Sequence, residues 1–391
     1  MSEAYIVSAV RTASGRRNGR LALWHPASLG AAVLDSLVAR AGVDPAAIED
    51  VIMGCVSQGG EQSGDLARNA VLTSSLPISV PGVTIDRQCG SSQQAVQFAA
   101  QAVLSGMQDL VVAAGVESMT RVPMGSPTRI YAEHGIGEGP LPGGVIARFG
   151  VDEISQFDGA ERMVIKYGLT RDDLDRYALE SHRRASEAAR SGRFDAEILP
   201  LHVDPFDTGS ALHIEDEGIR HDASLEAMIA LRTLREGGAI TAASSSQIAD
   251  GASGVIIASG EAVKRYGLTP LVRIHSAIVT AGDPVMMLDE TVPATQRLLA
   301  KTGLSIQDIG LYEVNEAFAP VPLSWLKMLE ADPARLNVNG GAISLGHPLG
   351  ASGTKLMATL VHEMRARGVR YGLQTMCEGG GQANAMILEA V

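Results

Sequence analysis

Four side chains, far apart in the chain, stand where local sequence would give them chemistry. Cys89 lies in Asp86-Arg-Gln-Cys-Gly-Ser-Ser-Gln-Gln-Ala, directly ahead of a helical pattern. Free backbone N–H groups and the positive end of a helix dipole favour a thiolate at such a place, which suits a nucleophile. The ordinary alternative, a small buried cysteine, is the reading for Cys55 in the strand-like Ile52-Met-Gly-Cys-Val. His347 is the one imidazole of Asn339-Gly-Gly-Ala-Ile-Ser-Leu-Gly-His-Pro-Leu-Gly-Ala-Ser-Gly, where five glycines strip bulk from its surroundings and invite close approach by a ligand. Cys377 follows an apolar run ending at Met376 and precedes Glu378-Gly-Gly-Gly. A glycine loop at a strand end offers N–H donors for an oxyanion hole. Asn315, in Glu313-Val-Asn-Glu-Ala-Phe, also follows a predicted strand, with a helix N-cap as its structural alternative.

Groups so dispersed need a large scaffold to gather them, and 391 residues are too many for one ordinary core. An apolar fraction of 46% with 19% charged residues can fill packed layers. The net charge of −12 provides no field for nucleic acid or an anionic membrane, although a local basic patch can still hold a phosphorylated ligand. Three cysteines without a CxxC pair argue against a disulfide framework and a zinc site, and no metal is expected. The opening MSEAYIVSAVRTASG reads as a strand and polar turn rather than a signal peptide, no run is long enough to cross a bilayer, and the terminal LEAV is not SKL. A reduced cytoplasmic compartment is the expectation.

Short β-rich runs at Ala4 to Ala9, Val51 to Val56, Leu110 to Ala114 and Gly372 to Met376 alternate with Ala-rich helical segments, which favours α/β layers. One helix is predicted from about Gly90 to Leu104, with Gly106 as its stop. An internal echo points to duplication: Leu37, Ala39, Arg40, Gly42, Val43 and Ile48 face Leu298, Ala300, Lys301, Gly303, Leu304 and Ile309 at an offset of 261. The same offset sets Cys89 against Gly350, so the segments after Cys89 and after His347 would be related helix starts. From about Arg121 to Thr241 charges cluster and turns multiply, as in an inserted segment, and Asp173 to Arg190 reads as a solvated helix.

Together these motifs resemble the thiolases, from Val10-Arg-Thr through Asn315-Glu-Ala-Phe and Gly346-His-Pro to Cys377-Glu-Gly-Gly-Gly. The resemblance implies two βαβαβαββ halves in a five-layer α-β-α-β-α core, with an inserted loop domain that binds CoA, and a homodimer or homotetramer. It divides the chain into an N-terminal half at 1–120, completed by about 242–268, a CoA-binding loop domain at 121–241, and a C-terminal half at 269–391. It also implies roles. Cys89 carries the acyl group, His347 activates it, Cys377 is the acid/base, and Asn315 positions a water that helps His347 hold an enolate oxygen. The N–H groups of Cys89 and Gly379 line the hole for the tetrahedral intermediate. Arg220 in Gly218-Ile-Arg-His and Ser246 match positions that meet the nucleotide and pantetheine parts of CoA, with a surface ion pair to Glu217 or Asp222 as the plain alternative for Arg220. CoA is then a substrate, and no permanently bound cofactor is expected.

Departures from the family pattern touch specificity more than chemistry. Asp86 replaces the usual Asn, Ser92 stands where Gly is common, and Ala383 replaces an expected glycine. Gln156 and Phe157 stand where short-chain members often carry His and Met, Ser244-Ser-Ser-Gln replaces Asn-Ala-Ser-Gly, and Met287 matches an acyl-pocket position. A β-ketoacyl or chalcone-type synthase would share the architecture, but Cys377 in CxGGG argues against both. A nicotinamide dehydrogenase lacks its GxGxxG here. A non-catalytic lipid-binding relative would have lost reacting residues, and all four are present.

Overall fold

The alternating runs build two copies of one motif. The computed structural model describes residues 3–137 and 139–391. The first copy holds strands β1 (Ala4–Thr12), β2 (Asp50–Gly54), β3 (Gly82–Ile85), β4 (Leu110–Ser118) and β5 (Ala249–Ser259). The second holds β6 (Val272–Ala281), β7 (Leu311–Val314), β8 (Tyr371–Glu378) and β9 (Gln382–Ala390). The helices that matter below are α1 (Pro26–Ala41), α2 (Leu66–Thr73), α3 (Ser91–Ser105), α4 (Gln156–Tyr167), α5 (Arg171–Arg190), α6 (Thr291–Thr302), α7 (Pro320–Leu329) and α8 (Ser352–Arg367).

Strand order is β7-β8-β9-β6-β1-β5-β4-β2-β3. Outward from the β1–β6 junction the first copy runs β1, β5, β4, β2 and the second runs β6, β9, β8, β7, so the two are related by a pseudo-twofold at that junction. The junction is thin and antiparallel, with Tyr5 opposite Arg273 and Ile6 opposite Val272. Within each copy the outer pair is parallel and the inner pairs are antiparallel. The echo at offset 261 is visible in detail. Helix α1 ends on Gly42 at φ 67 and leads through a 3₁₀ turn at Pro45–Ala47 into β2, as α6 ends on Gly303 at φ 74 and leads through Ile306–Asp308 into β7. Only glycine takes that left-handed cap without strain.

Burial explains the layering. Ala95, Val96, Ala99 and Val103 of α3 share a core with Met357, Leu360, Val361 and Met364 of α8, against Val111 and Val255 of one copy and Leu311 and Met386 of the other. These two helices are therefore the central layer, and small side chains on α3 let it lie deep. Leu34, Leu37, Ala70 and Val71 of α1 and α2 cover the outer face of the first copy, and Leu298 and Trp325 of α6 and α7 that of the second. The result is an α-β-α-β-α stack.

Between β4 and β5 the chain leaves the sheet, and α5 shows a difference from expectation. It is capped by a reciprocal Thr170–Asp173 box, and its charges pair along one face, as in Arg176 with Asp172 at 2.7 Å. Its other face buries Leu174, Ala178, Ser181, His182, Ala185 and Ala188. The charges that suggested a wholly solvated helix occupy only half of it, and the small residues between them recur at helical spacing. Among the described residues, no helix is long and apolar enough to cross a membrane.

Candidate active site

Cys89 stands on a taut turn between β3 and α3. Asp86 Oδ1 accepts the Gln88 N–H at 2.7 Å and holds Gln88 at φ 47, a costly conformation for a non-glycine residue. Ser91 Oγ closes the turn, accepting from Arg87 N at 2.8 Å and donating to Gln88 O at 2.6 Å. The thiol is half-buried, while Cys55 and Cys377 are buried. The expected thiolate is not what this environment favours. Burial first, and then the Glu378 carboxylate, push the Cys89 thiol up to about 12, and backbone hydrogen bonding only partly offsets them. At rest Cys89 is a thiol and needs a base.

His347 is held in a form that can act as one. Its backbone N–H donates to Gln247 O at 2.9 Å, which fixes the loop. Its Nδ1 lies 2.5 Å from Ser352 Oγ, and that hydroxyl gives its single proton to Pro348 O at 2.9 Å. Ser352 must then accept from the ring, so Nδ1 carries the proton and Nε2 presents a lone pair. Asn315 Nδ2 stands 3.4 Å from that Nε2. Burial, and after it the nearby Lys355 charge, lower the pKa of His347, which keeps the imidazole neutral. Lys355 also braces the loop, its Nζ donating to Leu345 O at 2.6 Å, Gly346 O at 3.1 Å and Ser14 Oγ at 2.7 Å. Asp216, 3.7 Å from Lys355, balances that buried charge and is itself paired with Arg11 at 2.9 Å.

The glycines around His347 serve a purpose other than the one their density suggested. A Cβ on Gly350 would stand 2.6 Å from Cys55 Cα, and one on Gly353 would stand 2.2 Å from Gln93 N. The neighbour admitted by these bare positions is the other copy of the motif, not a ligand. There the buried Glu117 carboxylate gathers the N–H groups of Val56, Ser57 and Gly350 at 2.9 to 3.0 Å. Ser92 Oγ, at the start of α3, accepts the Thr354 N–H of α8 at 3.0 Å. The two helix starts expected to be related are thus joined directly.

Cys377 is the penultimate residue of β8, so it lies within the strand rather than in the loop beyond it. Burial first, and then Cys89 and Glu378, raise its pKa. The glycine turn after it presses on the Cys89 turn, since a Cβ on Gly379 would lie 2.9 Å from Gln88 Oε1. Asn315 is not an N-cap, because α7 begins at Pro320. Its N–H donates to Thr375 O at 3.1 Å, tying it to the strand of Cys377, while its side chain turns to His347. The structure therefore links Cys89, Cys377 and Gly379 on one side and His347 with Asn315 on the other, through β8 and the Ser92–Thr354 contact.

Behind the His347 loop lies a cavity of about 360 Å³ lined by His182, Arg220, Ser224, Met228, Ala243 and Gln247. Neither sulfur lines it, and Gln247 is the connection, lining the cavity while its carbonyl holds His347. Ser246 does not line the cavity, though its neighbour Gln247 does; its N–H donates to Ala317 O at 2.9 Å, just past Asn315. Arg220 is exposed and, among the described residues, is in no ion pair; Glu217 engages Arg16 at 3.6 Å instead. A cationic edge on a half-apolar cavity suits a ligand with an anionic head and an uncharged arm.

Ser352, Lys355, Gln247 and Glu117 escaped sequence reasoning. Ser352 reads in sequence as an ordinary helix start just past His347, and Gln247 only as the end of the Ser244-Ser-Ser-Gln departure. Ser352→Ala removes the acceptor that fixes the ring tautomer. It is expected to lower kcat for acyl transfer about tenfold, the cost of roughly one hydrogen bond, with KM little changed. Steady-state kinetics on the folded variant check this, and an unchanged kcat would remove Ser352 from the site.

Comparison with known proteins agrees with this geometry. Residues 4–261 match the family model described as thiolase, N-terminal domain, and residues 268–390 the one described as thiolase, C-terminal domain. The chain is 50% identical over 390 residues to a steroid 3-ketoacyl-CoA thiolase of Mycobacterium tuberculosis, covering 100% of this chain and 94% of that protein. It is 38% identical over 400 residues to a 3-ketoacyl-CoA thiolase of Bacillus subtilis, covering 100% of both. With an acetyl-CoA acetyltransferase of Escherichia coli it shares 40% identity over 396 residues, covering 100% of this chain and 99% of the relative.

Proposed function

This chain belongs to the thiolase family and is an acyltransferase that cleaves 3-ketoacyl-CoA with CoA, or condenses acyl-CoAs in reverse; we propose that the acyl group travels on Cys89. The observation that carries the assignment is the gathering of the Cys89 turn, the Cys377–Gly379 turn and a neutral His347, its Nε2 facing Asn315, about one pair of helix starts. CoA is a substrate.

In the degradative direction, His347 Nε2 takes the Cys89 proton and the thiolate attacks the 3-keto carbon. N–H groups of Cys89 and Gly379 hold the resulting oxyanion. Collapse breaks the bond between C2 and C3, its electron pair moving onto C2 to give the enolate of acetyl-CoA. Cys377 protonates C2, while His347 and a water held by Asn315 stabilise the enolate oxygen. Acetyl-CoA departs, a second CoA thiol attacks the acyl-cysteine, and proton return to Cys89 and Cys377 completes a ping-pong cycle. Arg220, within the loop segment 121–241 that we assign to CoA, meets the nucleotide end of CoA, and Ser246, just beyond that segment, meets its pantetheine arm.

The acyl group is larger than acetyl and ring-bearing in this reading. Its main support is the 50% identity to a steroid thiolase, against 38% and 40% to the two other relatives described above. The core that holds Cys377 is also apolar: Phe157 sits edge-on to Phe318 at 5.6 Å, and Met286, Met287 and Leu288 belong to the same cluster. The edge strand β3, with Val83 exposed, suits a homodimer or homotetramer, and three unpaired thiols suit a reducing cytoplasm. A panel of 3-ketoacyl-CoA substrates, linear, branched and ring-bearing, tests the specificity. The ring-bearing thioester is expected to show the highest kcat/KM, and a preference for acetoacetyl-CoA would overturn the reading.

A further inference from the structure

Glu378 takes no part in the steps above, yet it is buried beside both sulfurs. Strand alternation sends Cys377 into the outer core and its neighbour Glu378 the other way, toward the start of α3. There Glu378 Oε1 stands 1.9 Å from where a Cβ on Gly90 would be, which is why position 90 must be bare. Asn384 Nδ2, the nearest amide, donates to Gly90 O at 3.1 Å instead. Neither oxygen of Glu378 has a hydrogen-bond partner among the described residues. Arg87 is the cation of the neighbourhood, and its Nη1 is bound to Gln382 Oε1 at 2.5 Å.

A buried carboxylate with no partner in contact is expensive, so the group holds its proton around neutrality. Burial is the largest cause, Arg87 opposes it, Asp86 reinforces it, and the carboxyl is pushed up to about 8. The charged and titratable groups facing it are Asp86, Arg87 and Cys89 on the nucleophile turn and Cys377 on its own strand, while β9 offers only the uncharged Gln382 and Asn384. Its charge, when present, acts on both sulfurs.

We propose that Glu378 gates the ionisation of the sulfur pair: as a neutral acid it permits a thiolate to form at Cys89, and as a carboxylate in mild alkali it opposes one. It touches neither substrate nor reacting atom and acts through Cys89 and Cys377, so the proposal rests on their assignment as the reacting sulfurs. The sign follows directly. Below about pH 8 the carboxyl is uncharged and equivalent to an amide; above it, a negative charge beside Gly90 holds both thiols protonated.

Rates of Cys89 alkylation by iodoacetamide, mapped by peptide mass from pH 6 to 10 on the full chain, test this. Wild type and Glu378→Gln are expected to react alike below pH 7. Above pH 8.5 wild type should fall behind by up to about tenfold, the effect of one pKa unit on the thiol. Glu378→Asp, whose carboxyl withdraws from Gly90, should keep a smaller step at a shifted midpoint, and Asp86→Asn should retain the step. Coincident profiles for wild type and Glu378→Gln, a constant ratio at all pH, or a step lost in Asp86→Asn but kept in Glu378→Gln would each overturn the proposal. Label in wild type that lies elsewhere than on Cys89 would overturn the nucleophile assignment beneath it.

Discussion

Cys89→Ala is expected to abolish thiolysis, lowering kcat by about 10⁴-fold or more, because removal of a covalent nucleophile leaves only binding and oxyanion stabilisation. The effect should be equally large in CoA exchange with acetyl-CoA, since that half-reaction needs the same acyl-enzyme. Folding should be little affected: the side chain is half-buried, and the turn that carries it is closed by Asp86 and Ser91 rather than by the sulfur. Serine is no rescue. Its hydroxyl has a far higher pKa than a thiol, and burial with the charge of Glu378 would oppose its anion as it opposes the thiolate. Spectrophotometric thiolysis together with intact-mass detection of the acyl adduct measures both predictions. Retention of more than a hundredth of wild-type activity, or full inhibition by a haloacetamide that leaves Cys89 unmodified, would overturn its role.

Much of this site is legible in sequence because the reacting groups sit at element ends, where local composition carries information. Gly106 marks the end of α3, and the pairing of Gly42 with Gly303 exposes the duplication in the sequence itself. What local sequence does not carry is what another part of the chain will place against a residue. The helix mouth at Cys89 suggests a thiolate, but burial once the copies have packed, and in alkali the charge of Glu378 from the far end of the chain, reverse the preference. Glycines 350 and 353 suggest room for a ligand, but Glu117 and Gln93 of the other copy fill it. Lys355 is invisible for the same reason. Its partners Ser14, Leu345, Gly346 and Asp216 converge only after both copies have packed, so no spacing in the chain announces that it braces the His347 loop. The half-buried face of α5 was within reach, since Leu174, Ala178, Ser181, His182 and Ala185 keep helical spacing beneath the charges.

Cys377→Ala separates the two halves of the reaction and is expected to give an unequal loss. Forming the acyl-enzyme from acetyl-CoA breaks only a thioester, which needs Cys89, His347 and the oxyanion donors. CoA exchange should therefore persist within a few-fold of wild type. Carbon–carbon cleavage also needs a proton delivered to C2 of the departing enolate, and without Cys377 that proton must come from water in a site the strand end keeps dry. A loss of about 10³-fold is expected, within the range general acid–base groups supply. Exchange of the C2 protons of acetyl-CoA in D₂O should vanish with it, because the same sulfur removes and returns them. Removing Cys377 also removes one of the two thiols that Glu378 faces, but Cys89 remains under its influence. The alkaline lag of Cys89 alkylation behind the matching Glu378→Gln variant should accordingly survive on this background. A variant that loses CoA exchange and thiolysis to the same extent would place Cys377 in the acylation step, and one that still cleaves 3-ketoacyl-CoA at a tenth of the wild-type rate would leave the proton donor to be sought elsewhere.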